Sequence, residues 1–168
     1  MTRLIIIPLI LLSLLGNSQI SLGVYQDVKL ATMTDDAGNT PFTTDVHITL
    51  DLQGYKAFGM KVLYEYADLS GGKFTRYSVH AGYLFDKLIV KNFEVGAYIG
   101  IGAIHRDLWI DSQFTYSLLG ELNYRLSERF KLSSHFELLN RSDLKALGYD
   151  GGFKPNVSIG GKYIIFNK

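Results

Sequence analysis

Several groups of residues in this chain have the types that chemistry needs. Ser133, His135 and Glu137 alternate along one stretch and superficially compose a hydrolase triad. Same-face neighbours on a strand stand about 6.5–7 Å apart, too far for direct hydrogen bonds. A triad would therefore need partners from neighbouring strands, such as Glu121 or Asn123. The four histidines, His47, His80, His105 and His135, fall in different segments, whereas a metal site needs several ligands to converge. Interior hydrogen bonding or rim exposure is the expectation for them, and no metal or cofactor is assigned. Asp35, Asp36 and Asn39, and Asp150-Gly151-Gly152, offer oxygens to Ca²⁺. Neither has EF-hand spacing, and turn chemistry accounts for both. Gly100-x-Gly102 has no following helix and is not a phosphate loop. Trp109, beside Arg106 and Asp107, is the best anchor for an interface, a partner or lipopolysaccharide. No catalytic residue is assigned.

Whatever these residues do, eight segments must position them. Apolar/polar alternation, the mark of a two-faced strand, runs through about 20–31, 44–53, 57–67, 74–85, 93–105, 113–126, 130–140 and 154–166. Longer polar links at about 32–43, 68–73, 106–112 and 141–153 take turns with shorter ones at about 54–56, 86–92 and 127–129. That asymmetry belongs to an up-and-down barrel with long loops at one end. The expected fold class is all-β, an eight-stranded antiparallel up-and-down transmembrane β-barrel.

Three features favour an apolar surface facing lipid over a soluble barrel with an apolar interior. Phe58 and Tyr66, Tyr77 and Phe85, and Tyr116 and Tyr124 are spaced eight residues apart on the apolar face. Such a spacing is about 26 Å of strand, or about 20 Å along a tilted barrel axis, close to the ~25 Å band between membrane-interface aromatics. The polar face is rich in Gly and Ser, which suit a cramped interior. Its charges also balance: Asp27, Asp51, Glu65, Glu94, Glu121 and Glu137 match Lys29, Lys61, Arg76, Arg125, Lys131 and Lys162. Unpaired charge is costly in an enclosed lumen, so these twelve are expected to form a structural charge network that fills it.

Composition excludes other classes. The 168 residues contain no cysteine, hence no disulfide, cysteine zinc site or lipoprotein anchor. A net charge of +1 argues against a nucleic-acid partner. A hydrophobic content of 47% argues against disorder. Residues 1–18 read as a secretory signal peptide: Arg3, the apolar run Leu4 to Leu15, then Gly16-Asn17-Ser18. The run is shorter than the roughly 20 residues of a spanning helix. Cleavage before Gln19 leaves 19–168 as one barrel domain, and losing Arg3 brings the 17 Lys plus Arg level with the 16 Asp plus Glu.

The leader, the eight strands, the loop asymmetry and the ending Gly160-Gly161-Lys162-Tyr163-Ile164-Ile165-Phe166 resemble the small OmpX/OmpA-type outer-membrane β-barrels over the whole mature chain. The Gln19 start is similar to that of many exported Bacteroidetes proteins. The resemblance implies an outer-membrane location among outer-membrane lipids and lipopolysaccharide. It also implies that Phe166 is the C-terminal aromatic read by the outer-membrane assembly machinery. Yet Asn167 and Lys168 follow Phe166, and its parity matches Lys162 rather than Tyr163. The family includes enzymes. Its lipid A deacylases carry a His and a Ser two apart near the last hairpin, where this chain reads Leu139-Asn140-Arg141-Ser142-Asp143 without the His. Palmitoyl transfer would need an amphipathic helix before the first strand, and none is legible. The expected function is passive: envelope integrity, or surface interaction and adhesion with a partner held by the loops. The alternatives are a periplasmic soluble barrel binding a lipid-like ligand, a lipid-modifying barrel enzyme and a narrow channel.

Overall fold

Alternation sustained over a whole strand puts one face on each side of a sheet, and the computed structural model closes eight such strands on themselves. It describes residues 19–33, 38–54, 57–70, 72–86, 92–107 and 111–167. The segment 1–18, Asp35, Asp36 and Trp109 lie outside the described residues. In chain order the elements are β1 (Gln19–Asp27), α1 (Val28–Thr32), β2 (Asp45–Gln53), β3 (Phe58–Leu69), β4 (Gly72–Asp86), β5 (Phe93–Arg106), β6 (Gln113–Arg125), β7 (Phe130–Asn140), α2 (Ser142–Ala146) and β8 (Phe153–Phe166).

Each strand pairs antiparallel with its sequence neighbour, and β1 pairs with β8. Closure leaves no edge of unpaired N–H and C=O groups, the condition for β-structure in hydrocarbon. Among the described residues no helix is long and apolar enough to cross a membrane; the strands do so. The fold is an eight-stranded antiparallel up-and-down transmembrane β-barrel.

The two faces follow parity. Leu22, Val24, Leu50, Val62, Val79, Ile99, Ile101 and Leu118 are exposed outward, whereas Thr49, Lys61, Arg76, His80, Asn123 and Lys131 are buried inward. Tyr77, Phe85, Tyr116 and Tyr124 are exposed on the outward face, and Phe58 and Tyr66 are half-buried there. Rings meet at both ends of the outer wall. Phe58 packs on Tyr83 and Phe93 on Tyr124 near the turn end, with centroids 5.9 and 5.0 Å apart. Tyr64 packs on Tyr77 and Tyr116 on Phe153 near the loop end, at 5.1 and 5.4 Å. Two tyrosines instead fill the lumen, Tyr25 and Tyr98. They fit because glycine faces them: a Cβ on Gly23 or Gly96 would stand 2.7 Å from the Tyr25 or Tyr98 ring.

Three expectations are corrected. The segment 20–31 is not one strand. β1 stops at Asp27, whose Oδ1 accepts a 2.6 Å hydrogen bond from Leu30 N and so caps α1. Lys29 consequently rides exposed on α1 and does not join the lumen network. The link 68–73 is not a loop: β3 and β4 continue to Leu69 and Gly72, pairing Asp68 with Lys73. Gly72 takes φ +95°, a conformation that suits glycine. That extension buries Ala67, Phe74 and Ile104 as an apolar cluster. Finally, the parity conflict at Phe166 has a structural cause. The β1–β8 register shifts between Ile20 and Ser21, so Ile20 pairs with Phe166 while Ser21 pairs with Ile164. The bulge adds one residue and turns Phe166 to the outer face, where it is 44% exposed.

A charge on the outer face tests the lipid assignment. Leu118→Arg, between Tyr116 and Tyr124 on β6, is expected to destabilise the bilayer-refolded barrel by about 2–4 kcal/mol. Denaturant titration in lipid vesicles reads this, and a neutral effect would place that face in water.

Candidate functional site

The lumen holds its charges in layers. Nearest the turn end, Glu94 accepts from Lys131 Nζ at 2.7 Å, Arg125 at 2.8 Å and Asn123 Nδ2 at 3.3 Å. Arg125 sits at the rim with a half-exposed side chain. In the middle, Lys61 Nζ lies 2.9 Å from both Asp51 Oδ1 and Glu121 Oε2. Lys162 pairs with the same two carboxylates. This quartet joins β2, β3, β6 and β8 and is formally neutral. Nearer the loop end, Arg76 is wholly buried on β4. Its Nε binds Glu65 Oε2 at 2.6 Å, and its two terminal nitrogens bind Glu137 of β7 at 2.7 Å each. Such pairs offset the desolvation of charge best when further hydrogen bonds complete them; the Arg76–Glu137 fork and the Glu94 group have them, whereas Arg76 Nε, Glu65 Oε2, Asp51 Oδ2 and Glu121 Oε2 are held by ion pairing alone. Of the twelve network residues named from sequence, Asp27 instead caps α1 and Lys29 is outside; the other ten meet in these layers.

The triad residues do not assemble. Ser133 Oγ donates to Asn123 Oδ1 at 2.5 Å and accepts from Tyr25 at 3.2 Å. His135 stacks on Tyr25 with centroids 3.9 Å apart, and neither ring nitrogen has a hydrogen-bond partner. A second grouping, Ser117, His80 and Glu137, has the right residue types. However, Ser117 at 3.0 Å and Glu137 at 3.4 Å both face His80 Nε2. A charge-relay histidine needs serine and carboxylate on opposite nitrogens.

The loop end is different. A cavity of about 490 Å³ opens there, lined among others by Asp27, Leu30, Asp45, Glu65, Phe74, Arg106, Leu139, Arg141, Leu144 and Tyr149. A void of about 10 Å³ lies near the turn end. The cavity's wall is fastened by Asp143 of α2. Arg106 Nε donates to Asp143 Oδ2 at 2.9 Å, and Arg141 donates to both Asp143 oxygens at 2.7 and 2.8 Å. Both guanidiniums also lie over the Phe74 ring, at 5.4 and 4.8 Å. Asn39 is buried and accepts from Ser70 N at 2.6 Å, a loop-fixing role. At the base of the cavity, Asp45, His47 and Glu65 bring one ligand atom each to within 4.8 Å of one another.

The sequence alone assigns neither Asp45 nor Arg106 and Asp143 to a site. That Asp45 and His47 share a face two residues apart is legible in it, but that Glu65 is the direct cross-strand partner of His47 comes only with the register. The Arg106–Asp143 contact left no such signal, because a strand and a distant loop meet only after folding.

Two outcomes test this geometry. Arg76→Ala leaves Glu65 and Glu137 without their buried counter-charge and is expected to cost about 3–5 kcal/mol in equilibrium unfolding. Burial raises the Asp143 carboxyl, but the hydrogen bonds and charges of Arg141 and Arg106 outweigh it and hold the group below its ordinary 3.8. A depressed carboxyl contributes stability fully above the unfolded value and loses it as pH falls through the folded value. Amide exchange over 142–147 is therefore expected to rise only below about pH 4, and Asp143→Asn should produce the same rise at neutral pH.

Neither a protein-family model nor a curated protein sequence matches the chain. Solved structures do. The Yersinia pestis outer membrane protein Ail, in a phospholipid bilayer nanodisc, matches with a TM-score of 0.56 and 16% identity, over 89% of this chain and 99% of that one. A de novo designed transmembrane β-barrel matches at 0.51 and 14% identity, over 89% and 96%. Neisserial surface protein A (NspA) matches at 0.50 and 13% identity, over 87% and 94%. With closure, strand number, outward apolar face and charged lumen all in place, the chain has the fold of the small eight-stranded outer-membrane barrels.

Proposed function

We propose that this chain is an outer-membrane surface barrel that works through its loop end, in adhesion or another surface interaction or in envelope integrity, and that it neither conducts nor catalyses. One observation carries the reading: buried ion pairs cross the bore in successive layers, while the cavity lies at the loop end. Ion pairs across the bore, Lys61 with Glu121 and Arg76 with Glu137, support a non-channel role. The unassembled triads support a non-enzymatic one. Of two neighbours in fold, one is named as a surface protein, Neisserial surface protein A, and the other for attachment and invasion, the attachment invasion locus protein of Yersinia pestis.

In this reading residues 1–18 are a cleavable export signal, and 19–168 fold in the outer membrane. Outer-membrane lipids and lipopolysaccharide surround Phe58, Tyr66, Tyr77, Phe85, Tyr116 and Tyr124. Phe166, turned outward by the β8 bulge, is the aromatic offered to the assembly machinery. The described parts of the connections at the loop end, 28–33, 38–44 and 141–152, face the outside, where a partner docks.

The protein is expected to stay with membranes after carbonate washing and to show no unitary conductance in planar bilayers. Replacing 28–44 and 141–152 by short turns should reduce attachment of expressing cells to surfaces while the barrel still folds. Reproducible conductance steps, or altered acyl chains in outer-membrane lipids of cells carrying the protein, would overturn the passive reading.

A further inference from the structure

The charge layers are not equivalent along the barrel axis. The middle quartet is neutral, and the layer at the turn end has Glu94 against two cations, Lys131 and Arg125. Towards the loop end, Glu65, Glu137 and Asp45 surround Arg76 and His47. The cavity of about 490 Å³ begins here; Asp45 and Glu65 form part of its lining, with Asp27 and Asp150 and the cations Lys29, Lys154, Arg106 and Arg141. The cavity gives an ion a route to Asp45 and Glu65.

The local geometry says which kind of cation. His47 Nε2 faces Asp45 Oδ1 at 3.1 Å and Glu65 Oε1 at 3.6 Å. Bonds of about 2.0–2.2 Å to a tetrahedral ion place its ligand atoms about 3.3–3.6 Å apart; the two separations from His47 lie close to that range, and the Asp45 and Glu65 oxygens are within 4.8 Å of each other. Glu65 is already oriented for this, since Arg76 Nε holds its other oxygen at 2.6 Å and leaves Oε1 turned to His47. Ligands fixed by such outer partners are what a metal centre requires. One imidazole with two carboxylates suits a borderline ion such as Zn²⁺. Ca²⁺ needs six to eight oxygens, and Mg²⁺ keeps most of its water.

We propose that Asp45, His47 and Glu65 form a divalent transition-metal site of the Zn²⁺ class at the base of the loop-end cavity, with water from the cavity filling the remaining coordination. All three side chains are buried, so the ion is reached through the cavity rather than held on the surface. Binding displaces whatever proton His47 Nε2 carries and places the metal between β2 and β3, the strands whose register sets the three ligands side by side.

The test uses the full barrel folded in detergent micelles, with folding checked by heat-dependent gel migration, and Zn²⁺ alone as the probe in metal-free neutral buffer. One Zn²⁺ per chain is expected by calorimetry, and Co²⁺ in its place should give the intense visible bands of a tetrahedral ion. His47→Gln should weaken binding by more than about tenfold, a loss that removal of even an outer-shell partner can reach. His105→Gln, at the other candidate histidine near the rim, should leave binding unchanged. If His47→Gln does not fold, Asp45→Asn is read in its place against the same threshold. Absence of stoichiometric uptake, binding that survives His47→Gln or its substitute, or binding lost in His105→Gln would each overturn the proposal.

Discussion

Hydrocarbon offers no hydrogen bonds, so every backbone N–H and C=O in the span must find its partner within the protein. The rest of this structure depends on that constraint. It requires closure, supplied by the β1–β8 pairing. With closure imposed, strict alternation sends one set of side chains to lipid and the other to the bore. Eight strands make a bore wide enough for side chains and little else.

Closure creates a second problem, which the charged residues meet. Polar side chains sent inward are cut off from bulk water, and each isolated charge there would cost several kcal/mol. The chain answers with pairs along the wall, Lys61 with Asp51 and Arg76 with Glu65, and with pairs that reach across the lumen, from β3 to β6 through Lys61 and Glu121 and from β4 to β7 through Arg76 and Glu137. The same contacts that neutralise the interior also tie distant strands together and fill the bore. Filling and neutralising are thus one device, and the layers stop short of the loop end, where the cavity opens.

At that end the design changes character. β3 and β4 run on past the last ion-pair layer and bury Ala67, Phe74 and Ile104. Asp143 then fastens α2 to Arg106 and Arg141 over the Phe74 ring. In sequence, Gly71, Gly72 and the flanking polar residues make 68–73 look like a loop, because the period of two does not run from Ala67 to Phe74; the two face each other across a hairpin. Lys29 departs from its expected place for a different reason: its parity is right for the lumen, but the Asp27 cap ends the strand before parity can act.

The sequence by itself determined strand number, the lipid and lumen faces and the residues available for ion pairing, because those follow from a period of two and from the cost of unpaired charge. Only the tertiary structure decided which acid meets which base, how the bulge beside Ile20 turns Phe166 outward, and that Asp45, His47 and Glu65 converge beneath a cavity. Those outcomes depend on register and on barrel closure, which bring together residues far apart in the chain. Alternation places each residue on a face but does not say which residues will oppose it.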